Sequence, residues 1–138
     1  MNLNSYAKVL GYCGLIPFVA LPSFNYLGII GSLNSLTFFV QYSAVILAFL
    51  GGVHWHDALS RTSSKSQMSI AMLPSLLAWF SLLYPSGLVS LSLLAGSFIF
   101  MLIYDLSILN ADKQYRILRI NLTIVTVLMH AVMFALVW

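Results

Sequence analysis

The sequence predicts an all-α membrane protein in which five helices cross the bilayer and form one bundle. Of its 138 residues, 61% are hydrophobic and 7% are charged, whereas about a quarter of the residues in soluble domains are charged. The mean hydropathy is +0.98. One crossing takes about 20 apolar residues, so the chain has room for a single bundle and no second domain. No run alternates with period two, which argues against a β-barrel.

The hydrophobic runs predict the limits of the spans, which are residues 9–23, 36–55, 68–83, 88–104 and 117–138. We expect the first to be a retained span rather than a cleaved signal. Pro17 and Pro22 should kink or end it, because proline removes a backbone donor. Residues 24–35 carry no charge, and three courses stay open for them: they continue the first helix, lie at the interface or re-enter the membrane.

Small residues predict where the helices approach each other closely. Gly11 and Gly14 thin one face of the first span, and Ala44, Ala48 and Gly52 recur every four residues along the second. After the third span, residues 84–87 (YPSG) predict a tight turn. Such a short connection makes the third and fourth spans antiparallel neighbours.

The basic residues predict the orientation. With five spans, the N-terminus and the loops after the second and fourth spans share one side. All the basic side chains fall there: Lys8, Arg61, Lys65, Lys113, Arg116 and Arg119. Lys and Arg mark the cytoplasmic side, so we expect a cytoplasmic N-terminus and a periplasmic C-terminus. The net charge of +3 comes from these few juxtamembrane residues, and it does not indicate nucleic-acid binding.

A first group of candidate functional residues should lie near the cytoplasmic interface: His54, Trp55, His56, Asp57 and Asp105. Two interpretations stay open. In one, Trp55 anchors the helix among the headgroups, the histidines are hydrated and Asp57 pairs with Arg61. In the other, histidine and carboxylate bind a divalent ion or relay a proton. No zinc-ligand spacing is present, and no metal is expected.

A second group lies on the fifth span, where polar residues recur at helical spacing and therefore share one face: Arg116, Arg119, Thr123, Thr126 and His130. His130 should be deep, about 20 Å beyond Ile117 at the rise of an α-helix, and ionisable groups at such depth are functional candidates. Gln41 on the second span should lie at similar depth. We expect Gln41 and His130 to interact, either as interhelical glue or as part of a ligand or proton site.

Other chemistry has less support. No nucleophile–base set, phosphate loop or paired-carboxylate pattern is present, so an enzyme is not favoured. Bis-histidine haem does not fit, because His54 and His130 differ in depth by more than ~10 Å. No cofactor is expected.

Four motifs resemble a family of small bacterial inner-membrane proteins that is catalogued as a domain of unknown function and has a mitochondrial transmembrane relative in animals. They are residues 10–18 (LGYCGLIPF), 42–55 ending in FLGGVHW, 73–79 (LPSLLAW) and 115–119 (YRILR) with Leu122 and Thr123. The resemblance implies that His54, Trp55, Arg116 and Arg119 are motif positions and implies no settled activity. The family usually has glycine where this chain has His56, which makes His54 the better ligand candidate.

Three functions follow as hypotheses. The first is an accessory or assembly protein of the bacterial inner membrane that packs against itself, as a homo-oligomer, or against a larger membrane complex. The second is a small transporter or proton-conducting module that uses the polar face of the fifth span. The third is a protein that binds a lipid or a quinone at the cytoplasmic interface near His54.

Overall fold

The computed structural model describes residues 3–60, 65–84, 86–108 and 113–138. Within them the chain forms six helices: α1 (Leu3–Cys13), α2 (Ile16–Tyr26), α3 (Ser32–Ser60), α4 (Lys65–Leu83), α5 (Gly87–Ile108) and α6 (Lys113–Val137). Helices α1 and α2 together form one segment that is long and apolar enough to cross a membrane, and each later helix forms another, which gives five in the described part. The predicted all-α fold with five spans is confirmed.

The first span is broken in the middle and is longer than the sequence predicted. It extends over Ser5–Tyr26 instead of 9–23. Helix α1 ends before Gly14, and α2 begins at Ile16 with Pro17 in its first turn, where a missing backbone donor costs nothing. The Tyr42 hydroxyl donates to the Gly14 carbonyl oxygen at 2.8 Å, so α3 stabilises the break. Pro22, in contrast, lies buried inside α2 without ending it.

The segment 24–35 turns back on itself. Helix α2 continues to Tyr26 and α3 begins at Ser32, so only a short turn separates the first two spans. Gly28 has φ 68°, in the left-handed region that favours glycine. The Ser35 hydroxyl donates to the Leu21 carbonyl oxygen at 2.8 Å. The first of the three open courses therefore holds for residues 24–26, and the rest form the turn and the start of α3.

Side-chain contacts define the two ends of the bundle. Lys8 Nζ donates to Gln114 Oε1 at 2.9 Å at one end, and Asn25 lies beside Met133 at the other. The first span therefore runs parallel to α6. Helices α4 and α5 are antiparallel neighbours as predicted, since the Ser90 hydroxyl donates to the Ser81 carbonyl oxygen at 2.7 Å. Pro85, which falls between them in the sequence, lies outside the described residues.

We call the end that holds the start of α1 and α6 the charged end. Every charged side chain in the described ranges lies in that half of the bundle: Lys8, Asp57, Lys65, Asp105, Lys113, Arg116 and Arg119. Arg61 and Asp112 lie outside the described residues, and so does the expected pairing of Arg61 with Asp57. The chain is described from Leu3 at the charged end to Trp138 at the opposite, uncharged end.

The small-residue face of α3 differs from the predicted one. Ala44 is buried and Ala48 half-buried, but Gly52 is exposed, and a Cβ there would meet nothing within 4 Å. Gly51 is the close contact, because a Cβ there would lie 3.0 Å from the Ala71 carbonyl oxygen of α4. A four-residue repeat rotates about 40° at each step around a 3.6-residue helix, so the stripe leaves the interface before it reaches Gly52.

Candidate functional site

Three charged or ionisable side chains from three helices meet inside the charged end, and we call them the ion-pair cluster: His54 of α3, Asp105 of α5 and Arg119 of α6. Arg119 contacts Asp105 Oδ2 through both Nε and Nη2, and His54 Nε2 contacts Asp105 Oδ1. Their exposed fractions are 7%, 3% and 8% in the same order. Buried charges are tolerated in proteins when they are paired, and here the carboxylate lies between its two partners.

The residues predicted to lie together at the cytoplasmic interface differ in their burial. His54 is buried and joins Asp105, so the expectation of a hydrated side chain is wrong for His54. His56 is exposed, Asp57 is half-buried, and Trp55 keeps 38% of its surface exposed. The tryptophan position at the charged end is typical of a headgroup anchor. Exposed Trp55 and His56 therefore fit the interfacial interpretation, whereas His54 and Asp105 are buried and contact each other.

Helix α6 presents the polar face that its spacing predicted, but the face begins one turn later. Arg119, Thr123, Thr126 and His130 are all buried. Arg116 is exposed and stays outside the interior. The polar face of α6 therefore starts in the ion-pair cluster and continues inward to His130, which connects the two groups that the sequence treated separately.

His130 is enclosed by aromatic rings. Its Nδ1 lies 2.8 Å from the Thr126 carbonyl oxygen, and since a carbonyl only accepts, Nδ1 carries the proton. The rings of Phe18, Phe39 and Phe98 have centroids 5.9, 4.8 and 5.6 Å from the imidazole. His130 Nε2 is buried with no hydrogen-bond partner among the described residues.

The expected pairing of Gln41 with His130 is wrong. Gln41 is exposed, and Phe39, two residues earlier on α3, takes the place beside the imidazole. Counting residues from the helix ends estimates depth, but it leaves the rotation of each helix undetermined. Residues two apart point to different faces of a helix. Gln41 therefore lies near the expected depth but on a face of α3 that points away from His130.

A cavity of about 510 Å³ adjoins the ion-pair cluster, and its lining comes from α1, α2, α3, α5 and α6. Most of the wall is apolar, and His54, Asp105 and Arg119 supply polar groups at the charged end. Several lining residues are themselves exposed: Leu10 of α1, Phe49 and Val53 of α3, and Tyr115 of α6. The cavity therefore reaches the surface of the bundle, and from the apolar members of this set we infer an opening towards the bilayer between α1 and α3.

Two threonines of the α6 polar face line this cavity, and their hydroxyls make no hydrogen bond to a described residue. Thr123 and Thr126 line it, and their exposed fractions are 6% and 4%. A threonine in a helix commonly donates to the carbonyl oxygen four residues earlier, as Thr37 of α3 does to Leu33 at 2.8 Å. Neither Thr123 nor Thr126 makes a side-chain hydrogen bond to any described residue.

Packing glycines shape the cavity wall on the α1 side. Gly11 and Gly14 both line it. A Cβ on Gly11 would lie 3.2 Å from Leu122 Cδ1 of α6, so this glycine lets α1 approach α6.

Within the described ranges no three His, Cys, Asp or Glu side chains are grouped so as to hold a metal ion.

Sequence reasoning did not predict the contact between Asp105 and Arg119. Asp105 was assigned to the interface and Arg119 to the fifth span, although both lie near the charged ends of consecutive helices. The sequence does contain a signal for this contact. Asp105 and Arg119 lie on either side of a short loop between antiparallel helices, so the two side chains should lie at similar depth in the membrane. The aromatic partner of His54 was also missed: the Tyr104 ring lies 5.1 Å from the imidazole.

Comparison with known proteins gives two matches. The profile of a family described as "Protein of unknown function (DUF3429)" matches residues 3–135. Transmembrane protein 69 of Xenopus tropicalis is 34% identical over 129 residues, which cover 88% of this chain and 50% of that protein. The chain thus spans about half the length of this curated relative. No solved structure matches.

Proposed function

The chain is a multi-pass membrane protein that belongs to the DUF3429 family of unknown function, and we propose that it binds an amphipathic molecule of the bilayer. The polar group of the ligand lies along the wall that the ion-pair cluster forms with Thr123 and Thr126 of α6, and its apolar body fills the rest of the cavity. This develops the third hypothesis drawn from the sequence, with the site extended from His54 to Asp105, Arg119 and the threonines of α6.

The observation that carries the proposal is the cavity itself. Ligand sites are commonly concave, mostly apolar and supplied with a few convergent polar groups, with volumes of about 300–1,000 Å³. This cavity, of about 510 Å³, has that composition. Its opening between α1 and α3 favours a ligand that enters from the membrane rather than from water.

The two other hypotheses have weaker support. A proton path along α6 needs polar groups in sequence, but Phe18 and Phe98 stand around His130 and separate it from the cavity that they also line. The accessory or assembly role, with a homo-oligomer or a larger membrane complex as partner, stays a prediction. Ligand binding is compatible with that role.

We also propose the orientation and the location. The charged end holds all described Lys and Arg side chains, and such an excess marks the cytoplasmic side. The ligand site then lies in the cytoplasmic leaflet. The family resemblance favours the bacterial inner membrane.

The test is ligand retention by matched variants. Val53 lines the opening and is 43% exposed, whereas Val45 on the same helix is 63% exposed and does not line the cavity. Protein purified in mild detergent should retain an amphipathic molecule at about one per chain, detected by mass spectrometry of a solvent extract. Val53→Trp should lose it and Val45→Trp should keep it. Equal retention by both variants, or no stoichiometric ligand in the wild type, would contradict the proposal.

A further inference from the structure

Resting on that proposed function, we infer that the ligand has an uncharged, hydrogen-bond-accepting head, and that it is a lipid quinone rather than an anionic lipid. The inference comes from the charge balance of the cavity lining, from the donors that face it and from its aromatic walls. Each of these observations is independent of the cavity volume.

The charges at the cavity balance each other. Among the described residues, its lining contains one guanidinium, Arg119, and one carboxylate, Asp105, and these two pair directly. The other described basic residues of the charged end are not part of the lining: Lys8, Lys65, Lys113 and Arg116. An anionic headgroup would have to compete with Asp105 for Arg119 inside a low-dielectric site, where the repulsion between two anions is strong.

Two hydroxyls that can donate are left to the ligand. Thr123 and Thr126 line the cavity, and neither hydroxyl bonds a described residue. They lie three residues apart, so they are about 4.5 Å apart along the helix axis. A buried hydroxyl without a hydrogen bond is unfavourable, and carbonyl oxygens of a ligand would satisfy both. A quinone carries two such carbonyls on one rigid ring.

The remaining walls suit a flat ring with an apolar tail. Phe18, Phe49 and Phe98 line the cavity, and aromatic side chains pack against planar rings in stacked or edge-to-face arrangements. Phe49 is exposed on α3 beside the opening. The isoprenoid tail of a quinone would leave through this opening between α1 and α3 into the acyl chains of the bilayer.

Direct binding of two probes tests the inference. Purified protein in detergent is titrated with decylubiquinone and, separately, with dioleoylphosphatidylglycerol. We expect saturable binding of decylubiquinone at one per chain, without displacement by phosphatidylglycerol. Thr126→Val should weaken binding about fivefold, since one lost hydrogen bond is worth about that factor. Thr37→Val is the matched control, because Thr37 is exposed, bonds its own helix and lies outside the cavity.

The outcomes separate the two proposals. If phosphatidylglycerol saturates the site, is lost in Val53→Trp and excludes the quinone, the quinone assignment is overturned and the ligand-binding proposal stands. If neither probe binds and no native ligand is retained, both proposals fail. If decylubiquinone binds Thr126→Val, Thr123→Val and Val53→Trp as tightly as the wild type, it partitions elsewhere and the inference is overturned. Circular dichroism checks that each variant is folded.

Discussion

Asp105 and Arg119 lie 14 residues apart in the chain and pair across the α5–α6 interface, inside the membrane-spanning part of the bundle. The guanidinium directs two nitrogens at one carboxylate oxygen, while the other oxygen faces His54. Charged groups in membrane helices are rare, pair with one another and mark functional sites. The arrangement links α3, α5 and α6 where these side chains form the polar wall of the cavity.

Removing either partner of this pair alone should destabilise the protein, and removing both should cost less than the two single losses added together. Asp105→Asn leaves a buried guanidinium without its counter-charge, and Arg119→Gln leaves a buried carboxylate with only His54. Each single variant should lose about 3 kcal/mol or more of unfolding free energy. The double variant should lose clearly less than the sum of the two, as measured by thermal unfolding in detergent.

Arg116→Gln is the control for this cycle, because Arg116 is exposed on the same helix. It should leave the unfolding transition within about 0.5 kcal/mol of the wild type. Strictly additive losses in the cycle would mean that Asp105 and Arg119 do not interact energetically.

Two adjacent glycines on α3 give a second prediction. A Cβ on Gly51 would lie 3.0 Å from the Ala71 carbonyl oxygen and 3.3 Å from Pro74 Cβ, whereas a Cβ on Gly52 would meet nothing within 4 Å. Gly51→Val should therefore cost about 1–3 kcal/mol through overpacking at the α3–α4 interface. Gly52→Val should have little effect on the unfolding temperature. The reverse order of the two variants would show that the contact face of α3 is misassigned.

The number of spans could be predicted from the sequence, because it equals the number of apolar segments that are long enough to cross the bilayer. Their ends were less predictable: α6 begins at Lys113 rather than near 117, since a long basic side chain can extend towards the headgroups. Rotation about each helix axis was the weakest point. A shift of one residue separates the buried Gly51 from the exposed Gly52, and two residues separate Phe39 from Gln41.

The candidate site was predictable in its parts rather than as a whole. Periodicity identified the polar face of α6, and the motif around Trp55 identified His54. Their meeting at Asp105 depends on how α3, α5 and α6 are rotated relative to one another, and no local pattern encodes this. The cavity is a further property of packing, because it exists only where α1 lies against α6 and leaves space beside α3.

His130 gives a third prediction. Its Nε2 is buried without a described partner, and an unsatisfied buried polar atom costs about 1–3 kcal/mol. His130→Leu removes that atom and keeps an apolar side chain among three phenylalanines. The variant should unfold at the same temperature as the wild type or higher, and it should retain the bound ligand. A folded variant that has lost the ligand would instead place the imidazole in the binding site.

The orientation gives the last prediction, and it uses the single cysteine of the chain. In a Cys13→Ser background, Asn34→Cys places a thiol at the uncharged end and Lys113→Cys places one at the charged end; all three original positions are exposed. Because Lys and Arg are retained on the cytoplasmic side, a membrane-impermeant maleimide should label Asn34→Cys in intact cells expressing the protein in their inner membrane. Lys113→Cys should react only after permeabilisation, and the cysteine-free protein should not react at all. The inverse pattern would move the ligand site to the other leaflet. Labelling of both positions from one side would contradict the three crossings between them, since α3, α4 and α5 separate Asn34 from Lys113.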